Sequence, residues 1–413
     1  MQIIKTINFI VRDKKWMAFQ LSNIAFLTVM NFLVIFLNSK EYTLQETYIF
    51  FLSLSVLNFT FMNILEKYIF FKEKYMTLIL GGVFVGLSII SYIYNDSNIY
   101  IYLYMFSILS LMLFNNLFSI NGISNIQDKF RKRKFNIDEK LITATAPILT
   151  ILIISLILPI VGFASDFNTD FLILFPILMV LVAIRYSLKI NKNNNKKKSS
   201  IKYKKINTRK NNLNKVFLLA FFMNSISIMI KNVCMPIFFI MFAEKNGFDN
   251  SIFKYFGLFL AFFAIISLFS RVINFKKISS KKLMLGGYFS MAFFIILMSL
   301  SIYKYTSTSQ LIYAVMAMIF YLLFDTAGKF WTSGYLIQLR ERTKNYSHYK
   351  DSLTYRICLF KHNKISVFAK ILTYLLLSIF GAIINLYMFV AVISIIIILY
   401  GLLFCFYDIK SKS

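Results

Sequence analysis

The stretch KINKNNNKKKSSIKYKKINTRKNN, residues 189–212, separates two long apolar segments, FLILFPILMVLVAI (171–184) and VFLLAFFMNSISIMI (216–230). Eleven Lys or Arg and no acidic residue lie between Lys189 and Lys215. In a soluble protein such a density of positive charge would suggest nucleic acid as a partner. Between two apolar segments it is explained more simply as a solvated connection, so we expect no nucleic-acid partner.

The composition of the whole chain excludes a soluble globular protein. Among 413 residues, 58% are hydrophobic and only 15% are charged, and the mean hydropathy is +0.68. Soluble domains carry about 25% charged residues. Apolar runs of about 18 residues or more recur along the chain, and each is long enough to cross the hydrocarbon core as a helix. The sequence therefore predicts an all-α polytopic protein of the cell membrane (inner or plasma membrane).

Twelve transmembrane helices are predicted, six on each side of the basic stretch. With the N-terminus placed in the cytoplasm, 39 of the 46 Lys and Arg fall in cytoplasmic segments and four on the opposite side. Positive residues concentrate in the cytoplasmic loops of membrane proteins, so both the N- and C-termini are expected to be cytoplasmic. The predicted spans are 17–37, 47–65, 76–94, 98–120, 141–163, 170–188, 216–242, 253–270, 283–303, 311–333, 366–384 and 386–407.

An internal repeat supports this division. The segment KYMTLILGGVFVGLSII, beginning at Lys74, resembles KKLMLGGYFSMAFFII, beginning at Lys281, and both contain a Gly-Gly pair. The segment IQDKFRKRK from Ile126 likewise resembles IQLRERTKN from Ile337. Repeats in the same orientation indicate a parallel duplication. The predicted parts are an N-terminal six-helix bundle (1–188), a cytoplasmic basic linker (189–215) and a C-terminal six-helix bundle (216–413).

This architecture resembles the major facilitator superfamily (MFS) of transporters, which also has basic loops after the second and eighth spans. The resemblance covers the whole chain, although the local motifs of the family are degraded. Glu66 and Lys67 stand where the family has an acid and a base, Met62 stands at its glycine position, and Arg271 lies in the equivalent loop of the second half. The resemblance implies an exporter-like protein with a cytoplasmic gate formed by Glu66, Lys67 and Arg271. We expect a monomer.

Polar side chains fall near one face of the first, fourth, seventh and tenth predicted spans, the spans that line the central cavity in the family this chain resembles. Residues three, four and seven apart share a helix face. The alternative is that hydroxyls and amides only join neighbouring helices, at about 0.6 kcal/mol per hydrogen bond. The predicted substrate and proton pathway comprises Gln20, Asn23 and Asn31 in the first span, Asn115 in the fourth, Asn224, Ser227 and Lys231 in the seventh, and Tyr321, Asp325 and Lys329 in the tenth.

Charged residues inside the spans are the stronger indication of function, because each costs about 2.5–3.5 kcal/mol at the bilayer centre. Asp325 and Lys329 are one helical turn apart, so they can pair along one face as a structural device. Asp325 can instead couple transport to protons by protonation and release. Lys231 either faces Asp325 across the cavity or binds an anionic group of the substrate. His348 and His362, in a predicted cytoplasmic loop, are interpreted as solvated.

Together these features predict a secondary active transporter with alternating access, one that couples proton movement to export. The substrate would be a small molecule or a peptide- or antibiotic-like compound. The sequence has no GxxxxGK[ST] phosphate-binding loop, so a primary pump is not indicated. No cofactor, metal or catalytic residue is predicted, and the chain is not expected to be an enzyme. The alternatives are a flippase for a lipid-linked oligosaccharide, whose pyrophosphate would suit a basic cavity, and, more remotely, a membrane-embedded transferase.

Overall fold

The computed structural model describes residues 14–39, 42–71, 73–94, 99–132, 170–190, 213–247, 279–344, 352–380, 395–397 and 399–401. Within these ranges the regular structure is helical throughout. A π-helix, Met229–Cys234, joins α6 directly to α7. The helices are α1 Lys14–Ser39, α2 Leu44–Phe71, α3 Glu73–Ile93, α4 Tyr100–Lys132, α5 Asp170–Ile190, α6 Leu213–Ile228, α7 Met235–Asn246, α8 Ser280–Thr308, α9 Leu311–Lys344 and α10 Ser352–Phe380.

Five helical segments in the described ranges are long and apolar enough to cross a membrane. Their outward side chains are strongly exposed, for example Ile79 at 56% and Phe289 at 63%. Apolar surface of this extent is not stable in water and is typical of a lipid-facing helix. The chain is therefore a multi-pass membrane protein. The spans are Leu44–Ile64, Tyr75–Ile93, Tyr100–Ile120, Ser280–Thr308 and Leu311–Leu339.

Polar residues fix where some of these helices begin and end. At the start of α2, the side chains of Thr43 and Glu46 each accept a hydrogen bond from the other's backbone N–H, which forms a capping box. The Ser279 hydroxyl accepts from the N–H of Lys282 and caps the start of α8. That helix ends where Ser309 adopts a left-handed conformation with φ of 56°.

Several helices extend beyond the predicted spans. The helix α4 continues past residue 120 to Lys132, and α9 continues past residue 333 to Lys344. The helix α10 begins at Ser352, well before the predicted start at 366. Hydropathy marks only the apolar part of a helix, whereas polar and basic residues can continue the same helix beyond it. The predicted spans 141–163 and 253–270 lie outside the described residues, as does most of 386–407, so the count of twelve and the side of the termini stay predictions.

Close glycine contacts hold the third helix of each predicted half against its neighbours. A methyl group at Gly81 would lie 2.5 Å from Ile184 of α5, and one at Gly287 would lie 2.6 Å from the backbone nitrogen of Trp331 of α9. Small residues of this kind let membrane helices approach closely. The sequence match pairs Gly81 with Gly286, but the close-packed glycines are Gly81 and Gly287. The close-packed glycine of the second half therefore lies one residue after the position that the sequence repeat assigns to it.

The helices α2 and α10, which belong to different predicted bundles, pack against each other. They run antiparallel and touch along much of their length: Phe59 of α2 contacts Phe368 of α10, with ring centroids 6.1 Å apart. At the other end the Gln45 amide donates to the carbonyl of Ser378 over 3.3 Å. The division at 189–215 stays a prediction, but α10 packs on helices from both sides of it, α2 and α4 before it and α6 after it.

Candidate functional site

The candidate site is a cavity of about 90 Å³ between α6 and α9. Its wall combines one charge pair, one amide, two hydroxyls and several apolar side chains. Four residues of the predicted pathway, two from each helix, are therefore brought together. The lining residues are Met223, Asn224 and Ser227 of α6, Met291 of α8, and Phe324, Asp325, Gly328, Lys329, Trp331 and Thr332 of α9.

Asp325 and Lys329 form an ion pair along α9, with Lys329 Nζ 2.5 Å from Asp325 Oδ2. The pairing along one helix face, which the sequence left open as one of two roles for these residues, is therefore present. The two charges differ in access: the Asp325 side chain is 1% exposed, whereas that of Lys329 is 18% exposed. Burying either charge alone would be strongly unfavourable, and their attraction offsets part of this cost. The arrangement presents a partly accessible ammonium group in front of a buried carboxylate.

Across the cavity, Asn224 and Ser227 lie one turn apart on α6. The Asn224 Nδ2 group is buried and has no hydrogen-bond partner among the described residues. An unpaired buried donor costs about 1–3 kcal/mol. A bound polar molecule that accepts a hydrogen bond at this point would recover that energy. The cavity thus offers a cation on one wall and an amide donor on the other.

The backbone hydrogen bonding changes from the α-helical to the π-helical pattern just after this turn of α6. Residues Met229–Cys234 form a π-helix, in which the N–H of Met235 bonds to the carbonyl of Ile230, and Pro236 follows. Proline has no N–H and cannot form the usual α-helical hydrogen bond. Single π-turns inside helices are frequent at functional sites. Lys231 lies in this turn, but its side chain is outside the described set, so its predicted position opposite Asp325 stays a prediction.

The described residues of the predicted pathway in the first and fourth spans lie away from this cavity. The Ser22 hydroxyl donates to Asn115 Oδ1 over 3.1 Å and joins α1 to α4, and both residues are buried. Asn115 thus makes the helix-to-helix bond that the sequence left open as the alternative. Gln20 and Asn23 are half-buried on α1. None of these four residues lines the cavity beside Asp325.

The two remaining residues of the predicted pathway, Tyr321 and Asn31, are not found in the cavity wall. Tyr321, one turn before Asp325, is buried with its ring centroid 6.4 Å from that of Phe324, and it is not part of the cavity wall. The side chain of Asn31 lies outside the described set. The proposed gate is likewise untested: the side chains of Glu66 and Lys67 and the whole of Arg271 are not described.

Trp331 lines the cavity but was not among the residues that the sequence predicted. The Trp331 indole donates to the hydroxyl of Tyr400 over 2.7 Å. Tyr288 of α8 in turn donates to the carbonyl of Ile397. These bonds fix α8 and α9 to the segment near residue 400. Among the wall residues, Thr332 could have been found, because it lies three positions after Lys329 on the same helix face.

The interpretation of His362 as a solvated loop residue is wrong. His362 lies within α10, where its Nδ1 is 3.1 Å from the hydroxyl of Tyr335 of α9. The next residue, Asn363, donates to Asn116 of α4 over 3.5 Å. Charged residues lower the hydropathy of this stretch and so favour a loop, although the helix already begins at Ser352. His348 lies outside the described residues.

Within the described ranges, no group of three or more His, Cys, Asp or Glu side chains converges as a metal site would require. Cys234 and Cys358 are both buried free thiols.

No protein-family model and no curated protein matches this sequence. Solved structures do resemble it. A bacterial homologue of the iron transporter ferroportin, in an outward-facing state, superposes with a TM-score of 0.63 at 13% identity and covers 96% of this chain and 100% of its own. The nucleoside transporter NupG gives 0.58 at 12% identity, covering 97% and 100%. The human organic anion transporter MFSD10 gives 0.56 at 9% identity, covering 94% and 97%.

These structures are MFS transporters, and at such low identity the shared property is the fold. The resemblance inferred from the sequence is therefore confirmed at the level of the fold: this is a multi-pass membrane protein with an MFS-like architecture.

Proposed function

We propose that this chain is a secondary active transporter that alternates access to a proton-coupled site at Asp325 and Lys329. Two six-helix bundles, 1–188 and 216–413, would move relative to each other around this site, with 189–215 as the cytoplasmic linker. The observation that carries the proposal is a buried ion pair on the wall of a cavity between two helices of an MFS-like fold. Intramembrane charges of this kind mark ion and substrate pathways.

The difference in access between the two charges suggests how a proton and a substrate are coupled. Lys329 is the charge that an incoming anionic group can reach. If that group draws the ammonium away, Asp325 remains as a buried carboxylate that has lost a countercharge. Such a group is stable in the protein interior mainly when it is protonated. Substrate binding at Lys329 and proton binding at Asp325 would therefore occur together.

The same geometry favours a substrate that carries a carboxylate, phosphate or sulfonate group. The ammonium of Lys329 would pair with this group, and Asn224 Nδ2 would donate a hydrogen bond to it. A cavity of about 90 Å³ accommodates little more than the charged group itself, so the rest of the molecule would occupy space that opens as the bundles move. MFSD10, which has a similar fold, is an organic anion transporter.

The direction of transport depends on whether proton and substrate bind the ion pair together or compete for it. A proton and an anion that bind together move together, so an inward proton gradient would drive uptake. The export predicted from the sequence requires instead that proton and substrate compete for the pair. Transport under pH gradients of opposite sign distinguishes these two cases.

The flippase alternative needs a lateral opening between the bundles. On the side formed by α2 and α10 the two helices are in contact, through Phe59 and Phe368 among others. This contact favours a transporter with a central pathway.

The test uses the purified full chain in proteoliposomes that contain a pH-sensitive dye. A panel of small carboxylates, phosphorylated metabolites and short peptides is added under an inward, an outward and no pH gradient. We expect at least one class of anion to accumulate with the proton gradient, and Asp325→Asn to lower this accumulation about tenfold or more while exchange continues. Glu244→Gln, at an exposed acid of α7, is the matched control. Unchanged pH-driven accumulation in Asp325→Asn would exclude the proton role.

A further inference from the structure

A half-buried lysine of α10, Lys370, is not used by the transport site described above. It makes no ion pair or hydrogen bond with any residue that the structure describes. Phe368, two residues earlier, is exposed and packs on Phe59 of α2 and Phe221 of α6, with ring centroids 6.1 and 6.0 Å apart. Residues two apart point to nearly opposite sides of a helix. Lys370 therefore faces the interior of the protein.

Two contacts align the interior faces of α2 and α10. At one level Phe51 of α2 stacks on Tyr374 of α10. At the other level Asn116 of α4 joins the two helices, because it donates to Met62 Sδ over 3.7 Å and accepts from Asn363 over 3.5 Å. The two levels are eleven residues apart on both α2 and α10, which is about 16 Å at the helical rise of 1.5 Å per residue. The two helices are therefore in matched register over this interval.

Asn58 and Lys370 both lie within this interval and on these interior faces. Asn58 is one turn before Met62 on α2, and Lys370 is two turns after Asn363 on α10. Residues four and seven apart share a helix face. Asn58 is thus about 4.5 Å closer than Lys370 to the level of Asn363. Helical side chains lean towards the N-terminus of their helix, which is the direction from Lys370 to Asn58.

The amide of Asn58 is buried and unsatisfied. The residue is 1% exposed, and neither its Oδ1 nor its Nδ2 has a hydrogen-bond partner among the described residues. An unsatisfied buried amide is costly, and so is a half-buried cation without a countercharge. An anionic group between the two residues would accept from Asn58 Nδ2 and from the ammonium of Lys370, which can also donate to Asn58 Oδ1. One anion would therefore satisfy both side chains.

Lys370 also lies at the depth of the cavity beside Asp325. The helices α9 and α10 are joined by a short connection and are in contact near it through Tyr335 and His362, so they run antiparallel. From this contact Lys370 is eight residues along α10, whereas Lys329 and Asp325 are six and ten residues back along α9. The depth of Lys370 is therefore between those of the two charges of the ion pair.

We propose that the substrate carries two anionic groups and that the second group binds between Lys370 of α10 and Asn58 of α2. This inference rests on the proposed function, in which the first group pairs with Lys329 and Asn224. The substrate class is then a dicarboxylate, a phosphorylated carboxylic acid or a bisphosphate. The second position has one residue from each predicted bundle, so the proposed movement of the bundles would take it apart and release the group held there.

Binding of matched probes to the full chain tests the second anionic group. The protein is purified in mild detergent, and its affinity is measured by calorimetry without a pH gradient. The probes are the dicarboxylates from malonate to suberate, each with its monomethyl ester, and phosphoglycerate with glycerate. We expect at least one dianion to bind about tenfold or more tightly than its monoanionic match, because it gains a second charged contact. No preference for a dianion in any pair would overturn the proposal.

Two variants of α10 that lose the same charge test the site itself. Lys370→Gln should bind the preferred dianion no more tightly than its monoanionic match, while the affinity for the monoanion stays that of the parent. Lys364→Gln is the control, because Lys364 lies over the ring of Phe360 on the same helix and should leave both affinities unchanged. Equal losses in the two variants would indicate attraction to positive charge in general and would rule out the site.

The outcome for the second group can be separated from that for proton coupling. If Asp325→Asn kept full pH-driven accumulation but Lys370→Gln abolished the preference for the dianion, the coupling would fail and the second position would stand. If accumulation of monoanions depended on Asp325 but no dianion were preferred, the second position alone would fail.

A carboxylate placed at residue 58 tests the geometry without any ligand. Asn58→Asp should be tolerated beside Lys370, because the new carboxylate pairs with the ammonium, and it should abolish the preference for the dianion. In Lys370→Met the same substitution leaves a buried carboxylate unpaired. We expect the thermal unfolding midpoint to fall by several degrees more in this background than in the parent.

The control for this pair of variants is Ser91→Asp, at a fully buried position of α3. It should lower the midpoint by the same amount with and without Lys370. Equal falls for Asn58→Asp in the two backgrounds would show that Lys370 does not reach residue 58, and the site would have to be abandoned.

Discussion

Phe51 of α2 stacks on Tyr374 of α10, with ring centroids 5.0 Å apart and planes within 13° of parallel. The two residues belong to different predicted bundles, so this stack is a direct contact between the parts that the proposed alternating access would separate. Both side chains are almost fully buried. The contact continues to the ends of the helices, where Gln45 bonds to the carbonyl of Ser378.

A disulfide at this end should therefore stop transport. With Gln45→Cys and Ser378→Cys in one chain, we expect oxidation to join α2 to α10 and to reduce substrate flux about tenfold or more, because a moving interface would be locked. Cys234 and Cys358 are buried and should not compete for the crosslink. Flux before and after reduction is the measurement, and each single cysteine variant is the control. Full flux through the crosslinked protein would mean that this end of the interface does not open.

Removing Lys329 should make stability depend on pH. In Lys329→Met the buried Asp325 carboxylate loses the ammonium group that lies 2.5 Å from it, and breaking a buried pair from one side costs about 3–5 kcal/mol. Protonation removes that cost, so the variant should be more stable at pH 5 than at pH 8. The thermal unfolding midpoint in detergent, followed from pH 5 to pH 8, is the measurement.

The double variant Asp325→Asn, Lys329→Met is the matched control, because it carries no charge at either position. Its midpoint should change with pH no more than that of the parent. If Lys329→Met alone showed no such dependence, Asp325 would have another compensating partner and the proposed coupling would fail.

The sequence contains enough information to place the charged part of the site. A carboxylate and an ammonium four residues apart on an apolar helix lie on the same face, so they are expected to pair. A polar face on the seventh predicted span indicated Asn224 and Ser227. The hydrogen bond of Trp331 to Tyr400 could not be predicted from the sequence, because it joins residues far apart in the chain. The sequence did not distinguish a pathway role for Asn115 from a helix-joining role, because the bond from Ser22 to its oxygen also joins residues far apart in the chain.

The helical class of the fold could also be predicted from the sequence, whereas the ends of the helices could not. Continuous apolar runs require helices in a membrane, so the all-helical class and the five spanning segments of the described residues could be predicted from these runs. Helix ends could not, because residues outside the hydrocarbon can extend a helix without changing the hydropathy. This is why α10 begins at Ser352 and why His362 is packed on Tyr335 rather than solvated.

The one-residue shift in the repeat predicts opposite effects for two adjacent glycines. A methyl group at Gly287 would lie 2.6 Å from the nitrogen of Trp331 and 2.8 Å from the oxygen of Ala327, whereas one at Gly286 meets no atom within 4 Å. We expect Gly287→Ala to force α8 and α9 apart and cost about 1–3 kcal/mol. Gly286→Ala should be neutral, or stabilising by up to about 1 kcal/mol through helix propensity.

Reversible unfolding in mixed micelles measures both glycine variants under the same conditions. Equal effects of the two substitutions would contradict the packing of α8 against α9.

Two buried asparagines should respond oppositely to the same substitution. Both amide atoms of Asn58 in α2 are buried without a hydrogen-bond partner in the described structure, whereas Asn115 accepts a bond from Ser22. Replacing an unsatisfied amide by an apolar group of similar size removes a penalty, so Asn58→Leu should stabilise the protein by about 1–3 kcal/mol. Asn115→Leu should instead destabilise it by about 1 kcal/mol, because the Ser22 hydroxyl loses its acceptor. The difference between their thermal midpoints, measured in one detergent, is the readout. Destabilisation by Asn58→Leu would mean that a water or a ligand satisfies this amide, and transport by that variant would then show whether the amide belongs to the substrate pathway.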